Sequence, residues 1–170
     1  MPARINYAKL DLMDALDLAT LIEQEAVARY TLFSQQLGHR HAGDAGSVFR
    51  SMVVNEEKHG NQLAERRKKM FGTAPVRVRR DAIFDVEAPD VGAARLNMSA
   101  LKALEVALDS EKKAFAFYDD ALGHITNAEV KALFRELRDE ETEHVQMLEK
   151  IIAGLPPSAA LDVTNVDDDD

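Results

Sequence analysis

The chain of 170 residues contains an internal repeat, and this repeat limits the folds that the chain can adopt. Residues 23–30 match residues 111–118, with the sequences EQEAVARY and EKKAFAFY. Residues 56–63 match residues 141–148 in the same way, with the sequences EEKHGNQL and ETEHVQML. Both halves of the chain contain the same two segments in the same order, which predicts two similar helical hairpins.

Apolar residues recur at helical spacing in four stretches, over residues 11–37, 44–70, 99–122 and 127–154. Gly38 ends the first stretch, Gly72 and Pro75 end the second, and Ser99 is a suitable N-terminal cap for the third. The fourth stretch ends before Pro156. The pattern predicts an all-α fold, a four-helix bundle made of two repeated hairpins.

Residues 71–97 join the two hairpins and show little helical periodicity. A connection of this length can run the full height of a bundle and join two helices that point in the same direction. The alternation of Val76 and Val78 indicates a short extended piece. We expect one domain over residues 1–154, followed by an acidic and disordered tail over residues 155–170.

The composition restricts the ligands that the protein can bind. With 30 acidic and 21 basic residues the net charge is −9, which argues against a nucleic-acid partner. Because the chain has no cysteine, a metal can be held only by oxygen and imidazole nitrogen. The first residues lack the apolar core of a signal peptide, and no apolar run approaches the ~20 residues of a membrane helix. We therefore expect a cytoplasmic protein with no membrane partner.

Two glutamates interrupt the apolar faces of the first and third predicted helices. Glu23 shares its face with Leu16, Ala19, Ala26, Val27 and Tyr30, and Glu111 shares its face with Leu104, Ala107, Ala114, Phe115 and Tyr118. Neither face offers a basic residue. Burying an uncompensated carboxylate costs several kcal/mol or more, so two such residues at equivalent repeat positions indicate a shared cation.

The second and fourth helices each carry a Glu-x-x-His pair on an apolar face. One such pair is weak evidence for a metal site, but here two occur at equivalent positions of the repeat. The candidate metal ligands are Glu23, Glu56, His59, Glu111, Glu141 and His144. This donor set is the one described for di-iron and di-manganese carboxylate bundles. The other histidines, His39, His41 and His124, fall in predicted loops and are assigned to solvent.

Two tyrosines, Tyr30 and Tyr118, also occupy equivalent positions of the repeat, one on each odd-numbered helix. They are predicted to be core residues. We expect their hydroxyl groups to find partners among the ligand carboxylates across the bundle, and so to support the metal site without binding the metal.

The glutamate and histidine segments, together with the run LRDEETEHVQMLEK, resemble the rubrerythrin branch of the ferritin-like superfamily over residues 11–153. The resemblance implies a ferritin-like bundle, iron as the metal and peroxide reduction linked to oxidative stress. Peroxidase rubrerythrins usually carry a further carboxylate where this chain has Ala114, and they have a cysteine-ligated rubredoxin domain that this chain lacks. The ligand set is also similar to that of bacterioferritins, although Pro156 and the acidic tail leave no fifth helix.

Three functions remain open from the sequence. The first is a non-haem di-iron oxidoreductase, a peroxidase that reduces hydrogen peroxide or dioxygen with electrons from an external donor protein. The second is a ferroxidase or iron-binding and iron-storage protein, from which the metal leaves after oxidation. The third is a structural bundle without metal, which the buried carboxylates disfavour. Manganese accepts similar ligands and is the alternative to two iron ions. We expect a homodimer.

Overall fold

A computed structural model describes residues 5–83, 86–95 and 97–161. Four α-helices make up this part of the chain: α1 Leu12–Leu37, α2 Ala45–Phe71, α3 Ala100–Leu122 and α4 Ala128–Ala153. The described residues contain no β-strand, and three short 3-10 helices lie outside the bundle helices, at Tyr7–Lys9, Arg80–Ala82 and Pro157–Ala160. The predicted all-α, four-helix class is confirmed.

Each helix begins at a polar capping residue: Asp11, Asp44, Ser99 and Asn127 for α1 to α4. In every case the side chain accepts a hydrogen bond from a backbone N–H of the first turn, which satisfies a donor that the helix itself leaves free. A glycine follows the last residue of every helix. The predicted helix boundaries therefore lie within one or two residues of the observed ones.

The helices pair as two hairpins. Helix α1 packs chiefly against α2, and α3 packs chiefly against α4, while α2 also contacts α3. Gly46, in the first turn of α2, lies directly against the turn that precedes it: a Cβ at Gly46 would be 2.0 Å from the carbonyl oxygen of Gly38. The close approach fixes the angle at which the first hairpin closes.

The connection between the hairpins crosses the full height of the bundle. At its start, Arg77 forms ion pairs with Asp11 and Asp14 at the beginning of α1. At its end, Met98 packs in the cluster that contains Ala45 at the beginning of α2. The segment thus returns the chain to the end of the bundle where α2 began, and α2 and α3 run in the same direction, as predicted. Residues 74–79, which include Val76 and Val78, form neither a helix nor a strand.

The buried apolar side chains form two separate clusters. One lies around Leu16, Tyr118 and Phe134, and the other around Tyr30 and Phe49. On every helix the predicted glutamate ligand falls between a member of one cluster and a member of the other; on α2, for example, Met52 and Leu63 flank Glu56. The predicted ligands therefore occupy a polar layer across the middle of the bundle.

A buried ion pair fixes the end of the first hairpin near the start of the crossover. Arg67 of α2 donates to both carboxylate oxygens of Asp17 of α1, at 2.8 and 3.1 Å. Its remaining donors bond to the carbonyl oxygens of Gly72 and Ala74. This charge is fully compensated, unlike the acidic layer in the middle of the bundle.

Beyond α4, Leu155 packs against the core, and residues 157–160 form a 3-10 helix that contacts α3. The expected disorder of residues 155–170 stays a prediction. The terminal aspartate run lies outside the described residues. No helix in the described chain is long and apolar enough to cross a membrane.

Candidate metal centre

The four predicted glutamate ligands meet in the middle of the bundle. Glu23, Glu56, Glu111 and Glu141 come one from each helix, and their exposed fractions are 1%, 0%, 0% and 2%. Each helix buries its glutamate because the apolar residues one turn before and one turn after point into the core. The structure brings together side chains that are more than a hundred residues apart in sequence.

Two groups of these side chains have the spacing of a metal site. Glu23, Glu56 and His59 place one ligand atom each within 4.8 Å of one another, and so do Glu56, Glu111 and His144. Glu56 belongs to both groups, so its two oxygens could bridge two ions. The donors are carboxylate oxygen and imidazole nitrogen, which suit iron or manganese.

The two predicted histidine ligands lie side by side on the α2–α4 side of the layer. Their rings stack at a centroid distance of 4.8 Å and an interplanar angle of 7°. Nδ1 of His144 lies 3.0 Å from Oε2 of Glu111 and 3.6 Å from Oε2 of Glu141. Both rings are only partly buried, whereas His39, His41 and His124 are exposed, as predicted.

The layer has an excess of negative charge in a dry environment. Burial, followed by the repulsion of neighbouring carboxylates, raises the pKa of Glu23 well above its ordinary value. Burial also raises the pKa of Glu141 well above its ordinary value, although contact with His144 offsets part of the effect. Burial opposes a charge on His144, but Glu111 and Glu141 outweigh it and raise the pKa of this imidazole to about 11. A cation inside the layer would relieve this imbalance.

Several carboxylate oxygens of the layer have no hydrogen-bond donor. They are Oε2 of Glu23, both oxygens of Glu56, Oε1 of Glu111 and Oε2 of Glu141. Buried polar atoms in proteins are nearly always paired, so a group of unpaired oxygens needs an explanation. Metal coordination provides one, because a cation accepts several oxygen ligands at once.

A fifth buried glutamate, Glu87, reaches the same layer from the crossover. It is 1% exposed, and one of its oxygens lies within 4.8 Å of ligand atoms of Glu23 and Glu141. The sequence analysis did not identify it. Glu87 lies in a segment without helical periodicity and outside the repeat, so neither a face nor an equivalent position indicated its burial.

Gly60 is a second residue of the site that the sequence analysis did not identify. It follows His59 in α2, and a Cβ at this position would lie 3.3 Å from the Cβ of Glu23. The absence of a side chain lets α1 approach α2 closely beside the ligands. The sequence does contain an indication of this close approach, since a glycine inside a helix is unfavourable unless another group packs against it.

The two predicted tyrosines are fully buried, one on each side of the layer. Burial, followed by the charge of Glu111, raises the pKa of Tyr30 well above its ordinary value. Burial, followed by the charge of Glu23, has the same effect on the pKa of Tyr118. Neither hydroxyl has a hydrogen-bond partner among the described residues, so their support of the site stays a prediction.

The bundle and its acidic layer define the class of the protein: a four-helix protein whose carboxylate and imidazole groups could hold a pair of metal ions. The chain matches the Rubrerythrin family over residues 14–152, with a second, overlapping match over residues 102–165. The chain belongs to the rubrerythrin family.

Two solved structures resemble this fold. An uncharacterized conserved protein from Magnetospirillum magnetotacticum MS-1 aligns with a TM-score of 0.68 and 27% identity, over 86% of this chain and 97% of that chain. A ferritin-like, diiron-carboxylate protein from Bacillus anthracis aligns with a TM-score of 0.50 and 20% identity, over 83% of this chain and 94% of that chain. The second similarity concerns the fold alone. A search of curated proteins found no match.

Proposed function

We propose that the protein is a di-iron oxidoreductase that reduces hydrogen peroxide or dioxygen with electrons from an external donor protein. The observation that carries this proposal is the set of buried carboxylates without hydrogen-bond donors, grouped with two imidazoles within metal-binding distance. Membership of the rubrerythrin family supports iron as the metal. The proposed ligands are Glu23, Glu56, His59, Glu111, Glu141 and His144.

The proposed ligands have different tasks. Glu56 belongs to both groups and would contribute to holding both ions, while Glu23 and Glu111 would each help to hold one of them. His59 and His144 would each supply one imidazole nitrogen. Bound iron supplies the redox chemistry, in which two electrons and two protons convert one hydrogen peroxide into two waters.

The surroundings of the ligands support a small oxidant and an external reductant. The two apolar clusters above and below the layer exclude water from most of its perimeter. The layer is least covered beside His59 and His144, so peroxide would enter between α2 and α4. Because the residues of this chain include no cysteine, they offer no ligands for a thiolate-bound iron, and an external donor would supply the electrons.

A turnover experiment tests the proposal against the alternative of a ferroxidase or iron store. The iron-loaded protein is reduced without oxygen, given successive portions of peroxide and an artificial reductant, and then analysed for bound metal. We expect many turnovers per protein with two iron ions retained. Loss of iron in proportion to the oxidant consumed would favour the ferroxidase, and failure to bind iron at all would exclude both.

Paired variants connect the activity to the layer. Glu141→Gln removes a proposed ligand, and Glu143→Gln makes the same chemical change at an exposed position two residues later. We expect Glu141→Gln to lower both iron content and peroxide turnover, and Glu143→Gln to change neither. Equal iron content in the two variants would contradict the assignment of Glu141.

A further inference from the structure

We propose that Glu87 is a seventh protein ligand, which the crossover delivers to the metal pair and which couples the order of that segment to metal binding. This inference rests on the proposed function, because it assumes that the six helix residues hold metal. It goes further in making the connection between the hairpins part of the site.

The first argument is the position of the Glu87 carboxylate. Both of its oxygens are buried and have no hydrogen-bond donor. One of them forms a third group with Glu23 and Glu141, again with ligand atoms within 4.8 Å of one another. Because Glu23 also belongs to the group with Glu56 and His59, Glu87 would serve the ion that Glu23 binds.

The second argument is the way in which the crossover is held at this point. Arg29 of α1 donates a hydrogen bond to the carbonyl oxygen of Pro89. Lys113 of α3 donates to the carbonyl oxygen of Ala88, at 3.1 Å. The two residues after Glu87 are thus anchored to two helices that belong to different hairpins. Such anchoring restricts where the Glu87 side chain can point, as a positioned ligand requires.

The third argument is the space that α1 and α3 leave for the crossover. Ala26 and Ala114 lie one turn after Glu23 and Glu111, and both are fully buried. Small residues at these positions leave room beside Glu23 and Glu111. Ala88 of the crossover is itself fully buried. Position 114 thus contributes no carboxylate, whereas the crossover brings the additional carboxylate of Glu87 to the layer.

The charge of Glu87 has a consequence for the oxidation state. The four helix carboxylates match the charge of two divalent ions, so a fifth carboxylate leaves an excess of negative charge that trivalent ions can balance. Glu87 would therefore favour the oxidised state of a bound iron pair. Replacing it with an amide should raise the midpoint potential of the bound iron.

Metal titration without any activity measurement tests the proposal. Co(II) and Fe(II) are titrated anaerobically into the unmodified protein, into Glu87→Gln and into Asp90→Asn. Asp90 is the matched control because it lies three residues away, is exposed and forms a surface ion pair with Lys113. We expect Glu87→Gln to lower the affinity for one of the two ions by about tenfold or more. We expect Asp90→Asn to bind both ions with the affinities of the unmodified protein.

The results separate the two levels of the proposal. If the unmodified protein binds no metal, the proposed function fails. If it binds two ions and Glu87→Gln binds both with unchanged affinity and unchanged iron potential, only the role of Glu87 is overturned. Unchanged affinity for both ions in Glu87→Ala would likewise show that Glu87 is not a ligand.

Hydrogen exchange measures the coupling to the crossover, first in the unmodified protein and then in Glu87→Gln. Metal addition should slow amide exchange in residues 86–95 as well as in the helices around the layer. In Glu87→Gln the slowing in residues 86–95 should disappear while that in the helices remains. Slowing confined to the helices of the unmodified protein would contradict a ligand from the crossover.

Discussion

At the scale of single residues, the buried glutamates of α1 and α3 show how metal binding can oppose stability. Glu23 and Glu111 are buried to 1% and 0% exposure, and no lysine or arginine forms an ion pair with either among the described residues. In the absence of metal, burial and neighbouring carboxylates oppose a charge on Glu23, whereas Oε2 of Glu111 lies 3.0 Å from Nδ1 of His144. The burial of Glu23 is therefore a cost that the folded protein bears until a cation is bound.

Replacing Glu23 with glutamine separates these two effects. The amide keeps the volume of the side chain but removes its charge, so the metal-free protein at pH 8 should be as stable as the unmodified protein or more stable, by about 1–3 kcal/mol. Metal content after loading should fall. Chemical denaturation with a chelator present and metal analysis without one give the two measurements. A large loss of stability in the metal-free variant would show that Glu23 holds a group other than a cation.

The cap of α2 predicts how stability depends on pH. Burial alone would raise the pKa of Asp44, but backbone N–H groups of Arg40, Ser47 and His41 donate to it and hold its pKa far below the ordinary value. A carboxyl whose pKa is lowered on folding stabilises the protein above its unfolded pKa of about 3.9. The contribution is then lost as the pH falls through the folded pKa.

Asp44→Ala should therefore lower the free energy of unfolding by about 1–2 kcal/mol at pH 7. The difference from the unmodified protein should be unchanged at pH 5 and should shrink as the pH falls below 4. Denaturation curves of both proteins across this range measure it, and comparing them cancels the titration of the other carboxylates. A difference that stays constant down to pH 2 would mean that the cap does not depend on the charge of Asp44.

At the scale of elements, the first hairpin depends on a glycine pair at its turn. Gly38 has a φ of 64°, which side chains rarely adopt, and its carbonyl oxygen occupies the place of a side chain at Gly46. A Cβ 2.0 Å from that oxygen cannot be accommodated without moving the turn or the start of α2. The turn and the first residues of α2 must therefore be regarded as one unit.

Gly46→Ala should destabilise the protein by roughly 1–3 kcal/mol, even though alanine is the better helix former. Gly154→Ala is the control, since Gly154 has a helical backbone and an added Cβ would meet at closest the carbonyl oxygen of Lys150 in the last turn of α4, at an ordinary 3.6 Å. Thermal melts should show a lower midpoint for the first variant and an equal or higher midpoint for the second. A neutral Gly46→Ala would mean that the turn shifts at little cost.

The sequence predicted the helices well and the crossover poorly, for a physical reason. Helices can be predicted from the periodicity of their apolar residues and from capping residues such as Asp11 and Ser99, whose function depends only on the neighbouring sequence. The helix ligands could be found because a glutamate on an apolar stripe is conspicuous. Glu87 has no such local context, since its burial depends on how residues 86–90 fit between α1 and α3. Its proximity to Glu23 is visible only in three dimensions.

At the scale of the whole molecule, the acidic layer divides the core into two apolar clusters. Neither cluster extends through the middle of the bundle, so bound ions would connect all four helices at the level where apolar packing is interrupted. Metal should therefore stabilise the entire fold. Any ligand that binds only the folded state at a hundred times its dissociation constant adds about 2.7 kcal/mol per site.

Adding Fe(II) or Mn(II) without oxygen should raise the melting temperature by roughly 5–10 °C for each ion bound, since about 1 kcal/mol corresponds to 2–4 °C at this chain length. A chelator should reverse the change. Calcium serves as the control ion, because it prefers oxygen ligands alone, whereas the proposed site also contains imidazole nitrogen. An identical shift with calcium would indicate general screening of charge in place of specific coordination.

The crossover also has a consequence for the symmetry of the site. The two hairpins repeat one another, and a pair of identical hairpins would place two equivalent ions about a twofold axis. A chain that joins the hairpins can make the connection only once, and here that connection carries Glu87. With Glu87 as a ligand, the two ion positions would therefore be inequivalent. One ion should be released before the other on titration with a chelator.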